Sequence, residues 1–152
     1  MGIFIKDLAK EGMSLQEYSA QVDLWKDDLP TSAYEYAKAA WHYDMQDARC
    51  IHDAWLVSCV FREASLQKPH AKPAGFDIDI SFLTGLEDRV LKFSYKNIIQ
   101  YSLESPSQSQ THSQVYFDEI RLSERKIMIH EILFMSNARW IIESNDFSFS
   151  FS

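Results

Sequence analysis

The segment FDIDISF, residues 76–82, alternates strictly between apolar and polar residues and constrains the fold more than any other feature. In an extended strand, its Phe and Ile side chains lie on one face and its Asp and Ser side chains on the other. The same alternation recurs in FSFSFS, residues 147–152. A strand that is apolar on one face needs a sheet around it and a layer that covers it. These segments therefore predict a half-buried antiparallel sheet.

Other segments after about residue 50 also have strand-like patterns, and turn residues separate them. They are AWLVSCVFREA (54–64), RVLKFSY (89–95), VYFDEIRLS (115–123), KIMIHEILFMS (126–136) and RWIIES (139–144). NIIQYSLE (97–104) is predicted to be another short strand or an extension of RVLKFSY. Residues 68–75 and 105–114 are rich in Pro, Gly, Ser or Gln and are predicted to be loops. We expect Phe147, Phe149 and Phe151 to pack against the core, with packing against a partner chain as the alternative, because an exposed Phe strand would invite aggregation.

Two helices are predicted before the strands. A capping-box pair, Ser14 with Glu17, opens the first, which Pro30 ends. Its apolar face comprises Leu15, Tyr18, Val22, Trp25 and Leu29. A second such pair, Ser32 with Glu35, opens the next helix. Its apolar face comprises Tyr34, Ala37, Ala40, Trp41 and Met45.

Length and composition agree with one domain over residues 1–152, helical over 1–49 and β-rich over 50–152. The chain has 152 residues, of which 46% are hydrophobic, so it can bury a single core. Two helices followed by several strands with short links are typical of the α+β class. We therefore expect two N-terminal helices packed on a mainly antiparallel sheet of about six strands.

Charge and residue usage narrow the classes of partner. The formal net charge of −7 argues against nucleic acid and against an anionic membrane surface as partners. The sequence has neither a secretory-type apolar region nor an apolar run near the ~20 residues of a membrane span. Cys50 and Cys59 are too few for a disulfide framework and are expected to be thiols. These features predict a cytoplasmic protein.

The segment HYDMQDARCIHDAW, residues 42–55, concentrates side chains that metal sites and acid–base catalysis use. Its candidate metal ligands are His42, Asp47, Cys50, His52 and Asp53. Their spacing does not match a zinc motif, and we expect instead the polar end of a helix running into a strand. On that interpretation His52 and Asp53 fix the entry to the strand through hydrogen bonds to the backbone.

Other polar residues are also interpreted as structural. His130 shares a strand face with apolar residues and is expected to be a half-buried histidine whose hydrogen bonds are satisfied. Glu119 and Glu131 could face each other as a carboxylate pair of the kind that glycosidases use. Asp77 and Asp79 are predicted to form a solvated strand face and are the candidate partner-binding residues. No catalytic residue and no cofactor are predicted, since the chain lacks phosphate-loop, dinucleotide and nucleophile-elbow motifs.

A resemblance accompanies these patterns. The runs IHDAWLVSCVFRE, FDIDISF, LKFSYKNIIQYSLE and KIMIHEILFMSNARWIIES resemble a group of small uncharacterised bacterial proteins. Some members of that group are immunity proteins of polymorphic toxin systems. The likeness covers about residues 50–145 and implies a non-enzymatic α+β fold that binds a protein. It assigns no binding residue.

The sequence therefore favours a non-catalytic cytoplasmic protein that interacts with another protein and, in one version, neutralises a toxin. Two alternatives stay open at this point. One is a metal-dependent hydrolase that uses the candidate ligands between His42 and Asp53. The other is a structural subunit of a homo-oligomer, completed through a sheet edge.

Overall fold

A computed structural model describes residues 14–63, 75–86, 89–107 and 111–152. These residues form two helices, α1 (Leu15–Leu24) and α2 (Thr31–Lys38). Six strands follow: β1 (Trp55–Glu63), β2 (Phe76–Leu83), β3 (Val90–Leu103), β4 (Val115–Leu122), β5 (Met128–Phe134) and β6 (Arg139–Phe151). All pair antiparallel in one sheet of order β1-β2-β3-β6-β5-β4. The predicted α+β class and antiparallel sheet are confirmed.

The C-terminal strand lies in the middle of the sheet rather than at its edge. The segments RWIIES and FSFSFS form one continuous strand, β6, which pairs with β3 along its length. Its first half, residues 139–144, also pairs with β5 on the other side. Phe147 lies opposite Tyr95 and is buried, while Phe149 and Phe151 are partly buried against the core. The Phe side chains are thus integral to the fold, which confirms the first of the two alternatives stated for them.

One face of the sheet, which we call the helix face, carries the core. The Tyr36 ring of α2 contacts the rings of Phe93 and Phe147 on this face, with centroid separations of 5.1 and 5.9 Å. Val22 of α1 is also fully buried in the same core cluster. Large aromatic side chains therefore fill the space between helix α2 and the central strands.

The outer edge of β4 is closed by side chains and by a loop. The Tyr18 hydroxyl donates to the Ile120 carbonyl oxygen at 2.7 Å and accepts from the Ile120 N–H at 3.0 Å. The Tyr43 hydroxyl donates to the carbonyl oxygen of Asp118 at 2.9 Å. Nearer the start of the strand, Val115 exchanges backbone hydrogen bonds with residues 53 and 54. These bonds satisfy backbone groups that an edge strand would otherwise present to another chain.

Helix α1 begins as predicted and ends earlier. The Glu17 N–H donates to the Ser14 hydroxyl at 3.1 Å, so Ser14 is the N-cap. The helix ends at Leu24, and residues 25–28 form turns before Pro30. Trp25 and Leu29 still pack against the core, because the turns keep their side chains on the same side.

The predictions for the second helix were wrong at both ends. Pro30 occupies the N-cap position without a side-chain hydrogen bond, so Ser32 lies inside α2 and does not cap it. The helix ends at Lys38, and residues 39–54 form turns instead of the predicted helix to Met45. Asp44 and Asp47 accept hydrogen bonds from the backbone N–H groups two residues later, a bond that competes with helix formation.

The short connections in the second half of the chain agree with the predicted turns. Backbone bonds join Ser123 to Ile127 and Phe134 to Ala138, closing the β4–β5 and β5–β6 connections. The predicted loop at 68–75 falls, except for its last residue, outside the described residues. The predicted loop at 105–114 includes residues 108–110, which also lie outside them.

Candidate functional site

The most concentrated set of titratable side chains surrounds the carboxylate of Asp118 on the helix face of β4. One carboxylate oxygen lies 2.7 Å from His42 Nε2. The other accepts from the Tyr36 hydroxyl at 2.7 Å and lies 2.8 Å from His130 Nε2. Tyr95 extends the set, because its hydroxyl lies 2.7 Å from His130 Nδ1. We call these five side chains the Asp118 cluster.

The partners of the two histidines indicate where their protons are. His42 Nδ1 faces the carbonyl oxygen of Tyr36 at 2.9 Å, and an oxygen of that kind only accepts. Its Nε2 faces the Asp118 carboxylate, so both ring nitrogens of His42 lie against acceptors. His130 is satisfied as a neutral ring, since Nε2 donates to Asp118 and Nδ1 accepts from the Tyr95 hydroxyl. The Asp118 carboxylate thus lies between two histidines in a buried site.

The pKa shifts agree with this assignment. Burial alone would raise the pKa of Asp118, but the charge of His42 and the hydrogen bonds from both histidines outweigh burial and lower it. Burial lowers the pKa of His130 below the ordinary value of a histidine. Burial also raises the pKa values of Tyr36 and Tyr95 well above that of a free phenol. Asp118 is therefore ionised and both tyrosines are neutral at neutral pH.

Solvent and substrate do not reach the Asp118 cluster. Asp118, His42 and His130 are 1%, 0% and 1% exposed. The Tyr43 ring stacks on His42 with centroids 3.9 Å apart, and the Cys50 thiol donates to the His42 carbonyl oxygen. Acid–base chemistry needs a group within hydrogen-bonding reach of a substrate, and this packing denies that access. What the arrangement does is join helix α2 and the loop after it to strands β4 and β5.

His42 is the only one of the candidate metal ligands that belongs to this cluster. Cys50 is buried beside the His42 backbone, whereas Asp47 forms an ion pair with Arg49 at 2.8 Å. His52 and Asp53 contact each other at 3.1 Å. Within the described ranges, no three or more His, Cys, Asp or Glu side chains are grouped so that they could hold a metal ion.

The entry to β1 is fixed by backbone bonds rather than by the side chains of His52 and Asp53. The Asp53 N–H donates to the Val115 carbonyl oxygen, and the Val115 N–H donates to that of Ala54, both at 2.9 Å. Asp53 has φ 67°, in the left-handed region, where Asp is tolerated better than most residues. Gly85 packs closely against the His52–Asp53 turn. A Cβ added at Gly85 would come within 3.0 Å of the His52 carbonyl oxygen.

A second buried polar set lies on the opposite face of the sheet, between β4 and β5. Glu119 and Glu131 are directly opposite in the strand register, as the sequence suggested. Arg121 lies between them, 3.0 Å from Glu119 and 3.4 Å from Glu131, and all three are buried. An arginine that bridges both carboxylates leaves no space between them for a sugar, unlike the open carboxylate pair of a glycosidase.

The strand face that carries Asp77 and Asp79 is charged but locally balanced. Asp79 is buried and pairs with Arg62 at 3.0 Å and Lys92 at 3.6 Å. Asp77 pairs with Lys96 at 3.4 Å. The predicted solvated acidic face is therefore a set of cross-strand ion pairs, and its carboxylates are already engaged within the chain.

Asp118, the centre of the first cluster, was not among the residues predicted from the sequence. A usable signal was present, since Asp118 alternates with Ile120 and Leu122 on the apolar face of its strand. His130 occupies a similar position among Met128 and Ile132 on the next strand. An acid and a histidine that both fall on apolar strand faces are candidates for a buried pair.

Comparison of the chain with models of known families, with curated proteins and with solved structures finds no match. The resemblance to bacterial immunity proteins stays a prediction. In the part of the chain that the structure describes, no helix combines the length and the apolar character needed to cross a membrane.

Proposed function

We propose that this protein is a non-catalytic cytoplasmic protein that acts by binding another protein, and that its partner is a toxin that it neutralises. The observation that carries the proposal is the burial of the Asp118 cluster. The side chains that would suit acid–base chemistry are closed off from solvent and engaged with one another. Such a cluster contributes to a unique packing of helices on strands and leaves recognition to the surface.

The charge supports a basic partner. The chain has 22 acidic and 15 basic residues, a net charge of −7. A net charge of this sign accelerates encounter with positively charged proteins and disfavours nucleic acid. Toxins that cleave nucleic acid need basic active sites, so an acidic protein is electrostatically suited to cover one.

The two cysteines support a reducing compartment. Cys50 and Cys59 are both free thiols, and burial raises the pKa of each to about 11. A thiol with such a high pKa carries little thiolate at neutral pH and is a poor nucleophile. The cysteines therefore behave as small core residues, in agreement with a cytoplasmic protein.

The test is co-expression of the chain with the product of the neighbouring reading frame in a bacterial host. We expect the neighbour alone to arrest growth and the chain to restore it, with the two proteins co-purifying. Growth arrest that persists while the chain is expressed and folded would contradict the proposal.

The variant Asp118→Asn is the matched control for a catalytic role. The substitution keeps the shape of the side chain and removes its charge, so a folded variant should protect as well as the parent chain. Loss of protection in a variant that is folded and still binds its partner would instead point to chemistry at the Asp118 cluster.

A further inference from the structure

Strand β1 forms an edge of the sheet that the described residues leave open. It pairs with β2 along its length, and on its other side one isolated bridge joins Trp55 to Gln114. From Ser58 to Glu63, no strand of the described chain lies beyond it. Six residues of strand that no other described strand pairs with are long enough to pair with another strand.

The two edge strands, β1 and β4, differ in whether side chains bind their backbone groups. The Tyr18 hydroxyl forms hydrogen bonds with the backbone of Ile120 in β4, and the Tyr43 hydroxyl forms one with the backbone of Asp118. No comparable side-chain bond to the β1 backbone occurs among the described residues. Because native proteins protect long edges from unwanted pairing, an unprotected edge beside a protected one indicates a surface that is covered in use.

The β1 edge is mainly apolar. Val57, Val60 and Phe61 are 58%, 40% and 46% exposed. Arg62 is engaged by Asp79 at 3.0 Å, and Glu63 is an exposed anion at the end of the strand. A strongly charged partner would find little opposite charge along this edge, whereas another mainly apolar strand would match it.

We propose that β1 pairs antiparallel with β1 of a second copy of this chain, about a two-fold axis at Val60. In this register Val60 lies opposite the second copy's Val60, and Phe61 lies opposite its Cys59. Arg62 lies opposite the second copy's Ser58. Apolar residues meet apolar residues on both faces, and no like charges face each other. Two six-stranded sheets become one continuous sheet of twelve strands, with an isologous interface.

The proposal goes beyond the proposed function and does not depend on it, because it concerns the pure protein alone. Each copy has a net charge of −7, so the copies repel each other outside the interface. Added salt screens that repulsion and should tighten the dimer. A complex with a basic partner would respond in the opposite sense, which separates the two kinds of association.

The experiment is sedimentation equilibrium of the full chain over a range of protein and salt concentrations. We expect a monomer–dimer equilibrium whose dissociation constant falls as salt increases. Val60→Lys places two ammonium groups opposite each other at the axis and should raise that constant by at least about tenfold. Leu24→Lys, at a 78% exposed helix position away from the edge, is the control and should leave it unchanged.

A cross-linking experiment tests the register. In a Cys59→Ser background, Val60→Cys places one thiol per copy at the axis, and oxidation should yield a covalent dimer. Leu24→Cys in the same background should not form it. Thermal unfolding establishes that each variant is folded. A wild-type chain that stays monomeric, or a folded Val60→Lys variant with unchanged dimerisation, would overturn the proposal.

Discussion

Replacing Asp118 tests whether the buried cluster is the main polar link between helix α2 and the sheet. The substitution Asp118→Ala removes the acceptor of three hydrogen bonds and strands the donors of Tyr36, His42 and His130 in the core. Each unsatisfied buried donor costs roughly 1–3 kcal/mol, and breaking a buried ion pair costs roughly 3–5 kcal/mol. We therefore expect a loss of about 5 kcal/mol in the free energy of unfolding.

Asp118→Asn should cost much less. Its carbonyl oxygen can accept from Tyr36 and His130, so two charge-assisted bonds become neutral ones at about 1 kcal/mol each. Its amide group takes the place of the carboxylate oxygen that faces His42 Nε2. We expect a total loss of about 2 kcal/mol.

The assay is urea unfolding at neutral pH, followed by tryptophan fluorescence and circular dichroism. Asp28→Ala serves as the control, because the Asp28–Lys126 pair is exposed and should contribute under about 1 kcal/mol. An Asp118→Ala variant that loses no more than this control would refute the structural role. So would an Asp118→Asn variant as unstable as the Ala variant.

Three further outcomes are expected. The two histidines outweigh burial and hold the pKa of Asp118 low in the folded chain, so below pH about 4 the unfolded chain binds more protons and stability should fall as pH decreases. Urea midpoints that stay constant between about pH 5 and about pH 2 would contradict that shift. Tyr18→Phe leaves the N–H and carbonyl groups of Ile120 without their hydrogen-bond partner and should lower the free energy of unfolding by roughly 1–3 kcal/mol. Urea unfolding measures this loss, and an unchanged midpoint would show that water replaces the hydroxyl. Truncation after Ser144 removes part of a central strand and should unfold or aggregate the protein, as read by thermal unfolding and light scattering, whereas a folded truncated chain would exclude the tail from the core.

The positions of the strands follow from residue patterns alone. Alternation between apolar and polar residues reflects the pleat of a single strand, and each of the six strands falls on a segment with that pattern. The same local rule placed His130 on an apolar face and Glu119 opposite Glu131, although His130 is fully buried rather than half-buried as predicted. These features depend on neighbours in sequence or on one tight hairpin, so the pattern alone contains them.

Tertiary structure decided what joins distant parts of the chain. The helix pattern continues to Met45, yet the chain leaves the helix at Lys38, and His42 then reaches Asp118, 76 residues away. Met45, assigned to the apolar face, is 61% exposed as a result. The free energy of a buried, charged hydrogen-bond network exceeds the few tenths of a kcal/mol per residue that helix propensity supplies. Strand order also depends on such distant contacts, which is why the C-terminal strand lies at the centre of the sheet.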